Sequence, residues 1–190
     1  MYPEIALASA SPRRRELLQQ IAVPFSLVKV DVDESLQSNE SPQQYVSRLA
    51  YAKARAGAEQ TQFALPVLGA DTIVVVDQHI LGKPADQADF TRMMQLLSGR
   101  CHQVMTAVAL VGKSNSNSCC VSTEVCFRQL NAADIAAYWH TSEPCDKAGG
   151  YGIQGQGGRF VSHISGSYSA VVGLPLYETD LLLRNWQEQA

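Results

Sequence analysis

A chain of 190 residues, 46% hydrophobic and 17% charged, can bury one substantial core unaided and is too ordinary in composition for a disordered or fibrous protein. A formal net charge of −3 excludes the basic excess that nucleic acid or an acidic membrane surface attracts, so basic residues with a role must be clustered. The longest apolar stretch, near Ala107 to Val111, falls far short of the roughly 20 residues that cross a bilayer.

The N-terminal run MYPEIALASASPRRREL places its charges after a short apolar segment, the reverse of a secretory signal, and no export is expected. Ile5 to Ala8 reads as a strand that runs into Ser11-Pro12, where serine as cap and proline as first helical residue open a helix carrying Arg13, Arg14 and Arg15. Phe25 to Val30 reads as a second strand, followed by the acidic segment Asp31-Val32-Asp33-Glu34. Ser41-Pro42-Gln43-Gln44 is a capping box that starts a helix reaching about Glu59. Pro66 to Asp77 is β-rich, with a turn expected at Gln78-His79 into a short strand. Lys83-Pro84 leads toward a helix that stops at Gly99. Gln103 to Val111 and Cys119 to Arg128 read as paired strands around the polar loop Gly112 to Ser118, and Asn131 caps a helix through Trp139. The glycine-rich stretch Gly149 to Gly158 follows, then a closing strand pair and a helix from about Leu176 to Gln187. The alternation of strands and helices, with no repeat or linker, predicts one α/β domain over 1–190 with a mixed sheet.

Five cysteines, Cys101, Cys119, Cys120, Cys126 and Cys145, form an odd set without CxxC spacing. They predict reduced thiols in a cytoplasmic protein, with neither a disulfide framework nor a zinc site. His79, His102, His140 and His163 are scattered and read as structural. Gly150-Tyr151-Gly152-Ile153-Gln154-Gly155 matches GxGxxG in letters, but no strong strand precedes it and no acid stands about 20 residues on, against a dinucleotide fold. Its glycines are expected to let backbone approach a ligand, with Gln154 reading a base edge. Ala107 to Ser114 lacks the first glycine of a P-loop, and no GxSxG elbow supports a serine nucleophile.

Five features carry chemistry. Ser11-Pro12-Arg13-Arg14 puts two guanidinium groups at a helix N-terminus, an arrangement suited to an anion or, equally, to a solvated helix face. On the second helix, stepping about 100° per residue places Tyr45, Val46, Leu49, Ala50, Ala52 and Ala56 on one arc with Lys53 inside it and Arg48 and Arg55 outside. A lysine on a core-facing stripe must snorkel or meet an anion. Asp71, within Val67 to Val76, is the poorest strand former of its run, and metal coordination, a general-base role or a salt bridge would each account for it. Glu34, with Asp31 and Asp33, offers oxygen ligands suited to Mg²⁺ or Mn²⁺, and Lys83 in Leu81-Gly82-Lys83-Pro84 is a compact cation for a phosphate.

In order, the segments Leu7-Ala-Ser-Ala-Ser-Pro-Arg-Arg-Arg-Glu-Leu-Leu18, Gly69-Ala-Asp-Thr72, Gly82-Lys-Pro84, Asp146-Lys-Ala-Gly-Gly-Tyr-Gly-Ile-Gln154 and Val171-Val-Gly-Leu-Pro175 resemble the Maf family of nucleoside triphosphate pyrophosphatases. The resemblance implies an inosine-triphosphatase-like fold, a mixed twisted sheet flanked by helices with an active-site cleft. It implies metal-assisted cleavage between the α- and β-phosphates, giving a nucleoside monophosphate and pyrophosphate. In matched positions Asp71 is the proton acceptor, Glu34 a metal-binding or catalytic carboxylate that shares the metal with Asp71, and Ser11, Arg14, Lys53 and Lys83 hold the triphosphate. Arg13, Thr72 and Gln154 stand at the specificity positions, in a combination similar to the dTTP/UTP branch. Modified pyrimidines such as 5-methyl-UTP or pseudo-UTP are further expected substrates, and a cytoplasmic homodimer that touches neither nucleic acid nor membrane is the expected form. Ser169 departs from the histidine that similar sequences often carry. Three alternatives remain at this stage: a nucleotide-binding regulator of septum formation and cell division, a 7-methyl-GTP pyrophosphatase, and a relative acting on inosine triphosphate.

Overall fold

Ile5–Ala8 (β1) is buried at every position, as befits a strand covered on both faces. In the computed structural model, which describes residues 2–188 apart from the side chains of 187 and 188, β1 lies between two parallel partners. These are Phe25–Leu27 (β2) and Val67–Val76 (β3), with Leu7 in register with Leu27 and Ala8 with Gly69. Parallel neighbours need crossovers, and helices Pro12–Gln20 (α1) and Pro42–Gln60 (α2) supply them. The capping box of α2 is formed: Gln44 N–H donates to Ser41 Oγ at 3.3 Å and Ser41 N–H to Gln44 Oε1 at 2.9 Å. Ser11 stands at the N-cap of α1, but its side chain makes no capping bond.

β3 turns back through Asp77 and Gln78, both left-handed with φ of 49° and 65°, so the turn falls one residue earlier than expected and His79 already belongs to His79–Leu81 (β4). Gln87–Leu97 (α3) follows. Cys101–Val111 (β5) and Ser116–Phe127 (β6) form a hairpin closed by Gly112 N–H on Asn115 O at 3.0 Å. Asn131 and Asp134 make the capping box of Ala132–Trp139 (α4). Val161–Ser165 (β7) pairs antiparallel with β6. The second closing strand is not formed. Tyr168–Val172 is a short helix (α5), because Ser167 accepts from Ala170 N–H through Oγ and from Val171 N–H through its carbonyl, and that start overrides the β preference of paired valines. Leu176–Glu188 (α6) ends the described chain. Among the described residues the sheet has seven strands in the order β2-β1-β3-β5-β6-β7, with β4 on β3. None of the described helices is long and apolar enough to cross a membrane.

The chain divides into two compact units, each discontinuous in sequence: 1–71 with 106–121 and 173–190, and 72–105 with 122–172. In the first, α2 buries Val46, Leu49, Ala50, Ala54, Gly57 and Ala58, while Ala52, Lys53 and Ala56 form a half-buried margin. Helix and strand meet without intervening side chain at Gly69, where a Cβ would lie 2.3 Å from Ala50 O and 2.5 Å from Ala54 N. Only glycine permits this approach.

The second unit has its own core, in which Phe90, Met94, Leu97, Phe127, Tyr138 and Phe160 pack together. Outside that core, exposed Cys101 and half-buried Cys126 are joined by a disulfide, correcting the expectation of five reduced thiols. Hairpin pairing causes it: Phe127 N–H bonds Arg100 O at 2.9 Å, which brings two cysteines 25 positions apart onto neighbouring strands. Cys119, Cys120 and Cys145 are free, and burial pushes the Cys119 thiol up to about 11, which makes it inert.

His102 is structural as expected. It is 3% exposed, its ring lies 5.1 Å from that of Phe127, and Nε2 is 2.7 Å from the Tyr151 hydroxyl. Burial pushes the imidazole down from 6.5 to about 4. The unfolded chain therefore binds the extra proton first, so stability is full above pH 6.5 and declines as pH falls toward 4. This group alone should remove about 3 kcal/mol over that window. Urea unfolding between pH 7.5 and 4.5 should show a shallower loss for His102→Gln than for the parent, since other groups titrate alike in both; equal slopes would refute the assignment.

Candidate active site

Gly69 lies two residues before Asp71, so the strand that touches α2 at Ala50 and Ala54 carries the carboxylate to the helix margin where Lys53 stands. Lys53 Nζ is 2.7 Å from Asp71 Oδ1 and 2.6 Å from Glu34 Oε1. The anion this lysine meets is thus a pair of the protein's own carboxylates, and the aspartate misplaced in a strand is held by the misplaced lysine. The two contacts differ in setting: the Asp71 and Lys53 side chains are 13% and 15% exposed, that of Glu34 50%. Solvent therefore weakens the Glu34 contact far more than the Asp71 one.

Arg14 is half-buried on α1. Its Nε donates to Gly173 O at 2.8 Å and one terminal nitrogen to Ser9 Oγ at 3.2 Å. Burial lowers its pKa, the Asp71 and Glu34 carboxylates oppose that shift, and Arg13 adds to it. Arg14 thus lies in the field of both carboxylates. The structure brings Glu34, Lys53, Asp71 and Arg14 into one electrostatic cluster in the first unit, with Ser11 at the N-cap of α1 and Arg13 on its first turn beside Arg14. Such a helix N-terminus, with its partial positive charge, suits an anion.

Thr72, Lys83 and Gln154 belong to the second unit. Thr72 follows Asp71 on β3 and is half-buried; Lys83 is exposed just after β4, and Gln154 is exposed in the glycine-rich stretch. Gly149 N–H bonds Gly82 O at 2.9 Å, tying the start of that stretch to the residue before Lys83. The expectation that its glycines leave room for a ligand is corrected at Gly155. A Cβ there would lie 2.4 Å from Glu143 Oε2, so the room is filled by the protein's own carboxylate.

Sequence reasoning missed two residues that shape the acidic loop. Tyr45 Oη donates to Glu34 O at 2.7 Å, and burial, followed by the Asp71 and Glu34 charges, raises its pKa and keeps it a donor. Arg48 binds Glu40 through two nitrogens at 2.6 and 2.8 Å and Ser35 O at 3.0 Å. Tyr45 could have been found from its place on the arc beside Lys53; the Arg48 partners lie in irregular chain that no periodicity reveals.

Glu34 and Asp71 each direct a carboxylate oxygen to the Lys53 ammonium, and carboxylate oxygens are the ligand type that a hard divalent cation takes. Asp33 turns instead to Ser35 N–H at 2.9 Å. Among the described residues, the one group of three His, Cys, Asp or Glu side chains close enough to share an ion is Cys101, Glu124 and Cys126, and its sulfurs are bonded to each other.

The family model for Maf-like proteins matches residues 4–186. The dTTP/UTP pyrophosphatase of Pseudoalteromonas translucida is 56% identical over 186 residues, 98% of each chain. That of Escherichia coli is 56% identical over 180 residues, 95% of this chain and 91% of the relative. A solved nucleoside-triphosphatase (dITP/XTP pyrophosphatase) of Mycobacterium abscessus aligns with 68% of this chain and 76% of its own at 20% identity and a TM-score of 0.46.

Arg14→Lys keeps the charge but cannot reach Gly173 O and Ser9 Oγ at once. Loss of these bonds should lower unfolding stability by about 1–3 kcal/mol, read by urea denaturation. A change below about 0.5 kcal/mol would mean that the fork contributes nothing, as for an ordinary surface residue.

Proposed function

Because the chain belongs to the family of Maf-like proteins, we propose that it hydrolyses dTTP and UTP between the α- and β-phosphates, releasing the nucleoside monophosphate and pyrophosphate. The observation that carries this reading is the ammonium of Lys53 held between Asp71 and Glu34 at 2.7 and 2.6 Å, in the field that also acts on Arg14. The names of the relatives support the choice of substrate.

In this mechanism Asp71 takes a proton from water as the water oxygen bonds to one phosphorus of the α–β link. The bridging oxygen leaves with the bonding electron pair on the other phosphoryl group. Lys53 and Arg14 hold phosphate oxygens and stabilise charge that develops on them. Ser11 and Lys83 hold the triphosphate, while Arg13, Thr72 and Gln154 select the base; the matched family positions support these roles. Glu34 and Asp71 would hold Mg²⁺ or Mn²⁺, which when bound supplies charge neutralisation to the phosphates. Modified pyrimidine triphosphates, a homodimer and a cytoplasmic setting complete the reading, on the family resemblance alone.

Purified protein with Mg²⁺ or Mn²⁺ should release pyrophosphate from dTTP and UTP, and chelator should stop it. Asp71→Asn should lower kcat by about 10²-fold or more, the contribution of a positioned general base. Absence of pyrophosphate release, or an Asp71→Asn rate within about 2-fold of the parent when a base is worth that much, would defeat the proposal.

A further inference from the structure

The turn that carries Gln154 is held on both sides by one side chain that has no part in the chemistry above. Glu143 lies four residues beyond the end of α4. Its Oε1 accepts from Tyr138 Oη at 2.7 Å and from Gly157 N–H at 3.2 Å, and its Oε2 accepts from Gln156 N–H at 2.9 Å. Tyr138 Oη accepts in turn from Gly152 N–H at 3.0 Å. Gln154 is therefore clamped two residues before and two residues after itself, directly by Glu143 on one flank and through Tyr138 on the other.

The anchor is rigid. Tyr138 is fully buried, its ring meeting Phe160 at 5.1 Å and Phe90 at 6.0 Å. Lys147 Nζ donates to the backbone carbonyl of Glu143 at 2.8 Å and to Asp146 Oδ1 at 2.7 Å, fixing the turn from which Glu143 projects. The carboxylate is suited to this arrangement. Burial alone would raise its pKa, but the Tyr138 hydroxyl and the amides of Gln156 and Gly157 outweigh burial and hold it below the usual range. The contact with Gly155 shows that the turn is wrapped around this carboxylate, since any side chain there would collide with it. Gln154 remains exposed, so the clamp fixes its backbone and leaves its amide available.

We infer that Glu143, acting with Tyr138, is a positioning residue for base selection: it sets where the Gln154 amide sits and hence which pyrimidine edge the enzyme accepts. This rests on the reading of Gln154 as a base-selecting residue. A side-chain amide reads donors and acceptors by direction, so a turn free to shift loses discrimination between UTP and CTP, whose edges differ at the 4-position in donor and acceptor character.

The experiment is the ratio of kcat/KM for UTP to that for CTP, with Mg²⁺, in the parent, Glu143→Gln, Gln154→Ala and the double variant. Glu143→Gln keeps the shape but can turn only one acceptor oxygen to the turn, leaving an NH₂ group against a backbone N–H. The ratio should fall roughly tenfold in each single variant, the scale of one misaligned hydrogen bond. In the double variant it should fall no further than in Gln154→Ala, because residues acting as one unit are not additive.

Tyr138→Phe, which keeps the packed ring and removes the hydroxyl, should lower the ratio in the same way. It carries the test if Glu143→Gln does not fold. If Gln154→Ala lowers the ratio while Glu143→Gln and Tyr138→Phe leave it unchanged, or if the effects simply add, the positioning role is overturned and the base-selecting role of Gln154 stands. If Gln154→Ala leaves the ratio unchanged, the base-selecting reading fails and the positioning role fails with it. A parent protein that hydrolyses neither nucleotide defeats both along with the proposed function.

Discussion

One ammonium shared by two carboxylates is the interaction from which the candidate site is assembled. Lys53 comes from a helix, Asp71 from the strand beneath it and Glu34 from the irregular segment between β2 and α2. Each would be a poor choice alone: a lysine on a helix margin that faces the core, an aspartate inside a strand, a glutamate on an open loop. Together they satisfy one another. Withdrawing Lys53 leaves the largely buried Asp71 carboxylate without this cation, which costs more than the pair contributes, whereas withdrawing the half-exposed Glu34 leaves the Lys53–Asp71 pair in place.

The surrounding architecture keeps that arrangement in place. Tyr45 holds the backbone of Glu34 from one turn of α2, and Arg48 holds Ser35 and Glu40 from the next. Arg14 ties α1 to Ser9 and to the chain at Gly173, so its positive charge stands on a braced guanidinium rather than a mobile one. The second unit repeats the logic with neutral donors, where Glu143 gathers Tyr138 and two backbone amides around the turn of Gln154.

Much of this was legible in the sequence because the informative residues violate local rules. Lys53 broke the apolar arc and Asp71 broke the strand, and the capping boxes at Ser41 and Asn131 marked helix starts from four-residue windows. What escaped depends on contacts between distant positions. The Cys101–Cys126 bond follows from hairpin pairing, which has no signature in cysteine spacing. Helix α5 depends on the Ser167 hydroxyl capturing an amide, against the β preference of the residues that follow it. The glycine-rich stretch looked like space for a ligand because glycine marks room without saying what fills it; the occupant, Glu143, stands twelve residues before Gly155.

Gly69 illustrates how packing can pass for chemistry. A side chain can enter position 69 only after α2 has withdrawn from the strand, because the obstacles are the helix's own backbone atoms and not a flexible tip that can step aside. A withdrawn helix carries Lys53 away from Asp71. Drift at this position is closed by collision before any reaction is tried, and a reversal would demand coordinated change along both elements. An unvarying glycine here would thus be found even in a descendant that had lost every catalytic role, and its constancy would record how two backbones meet.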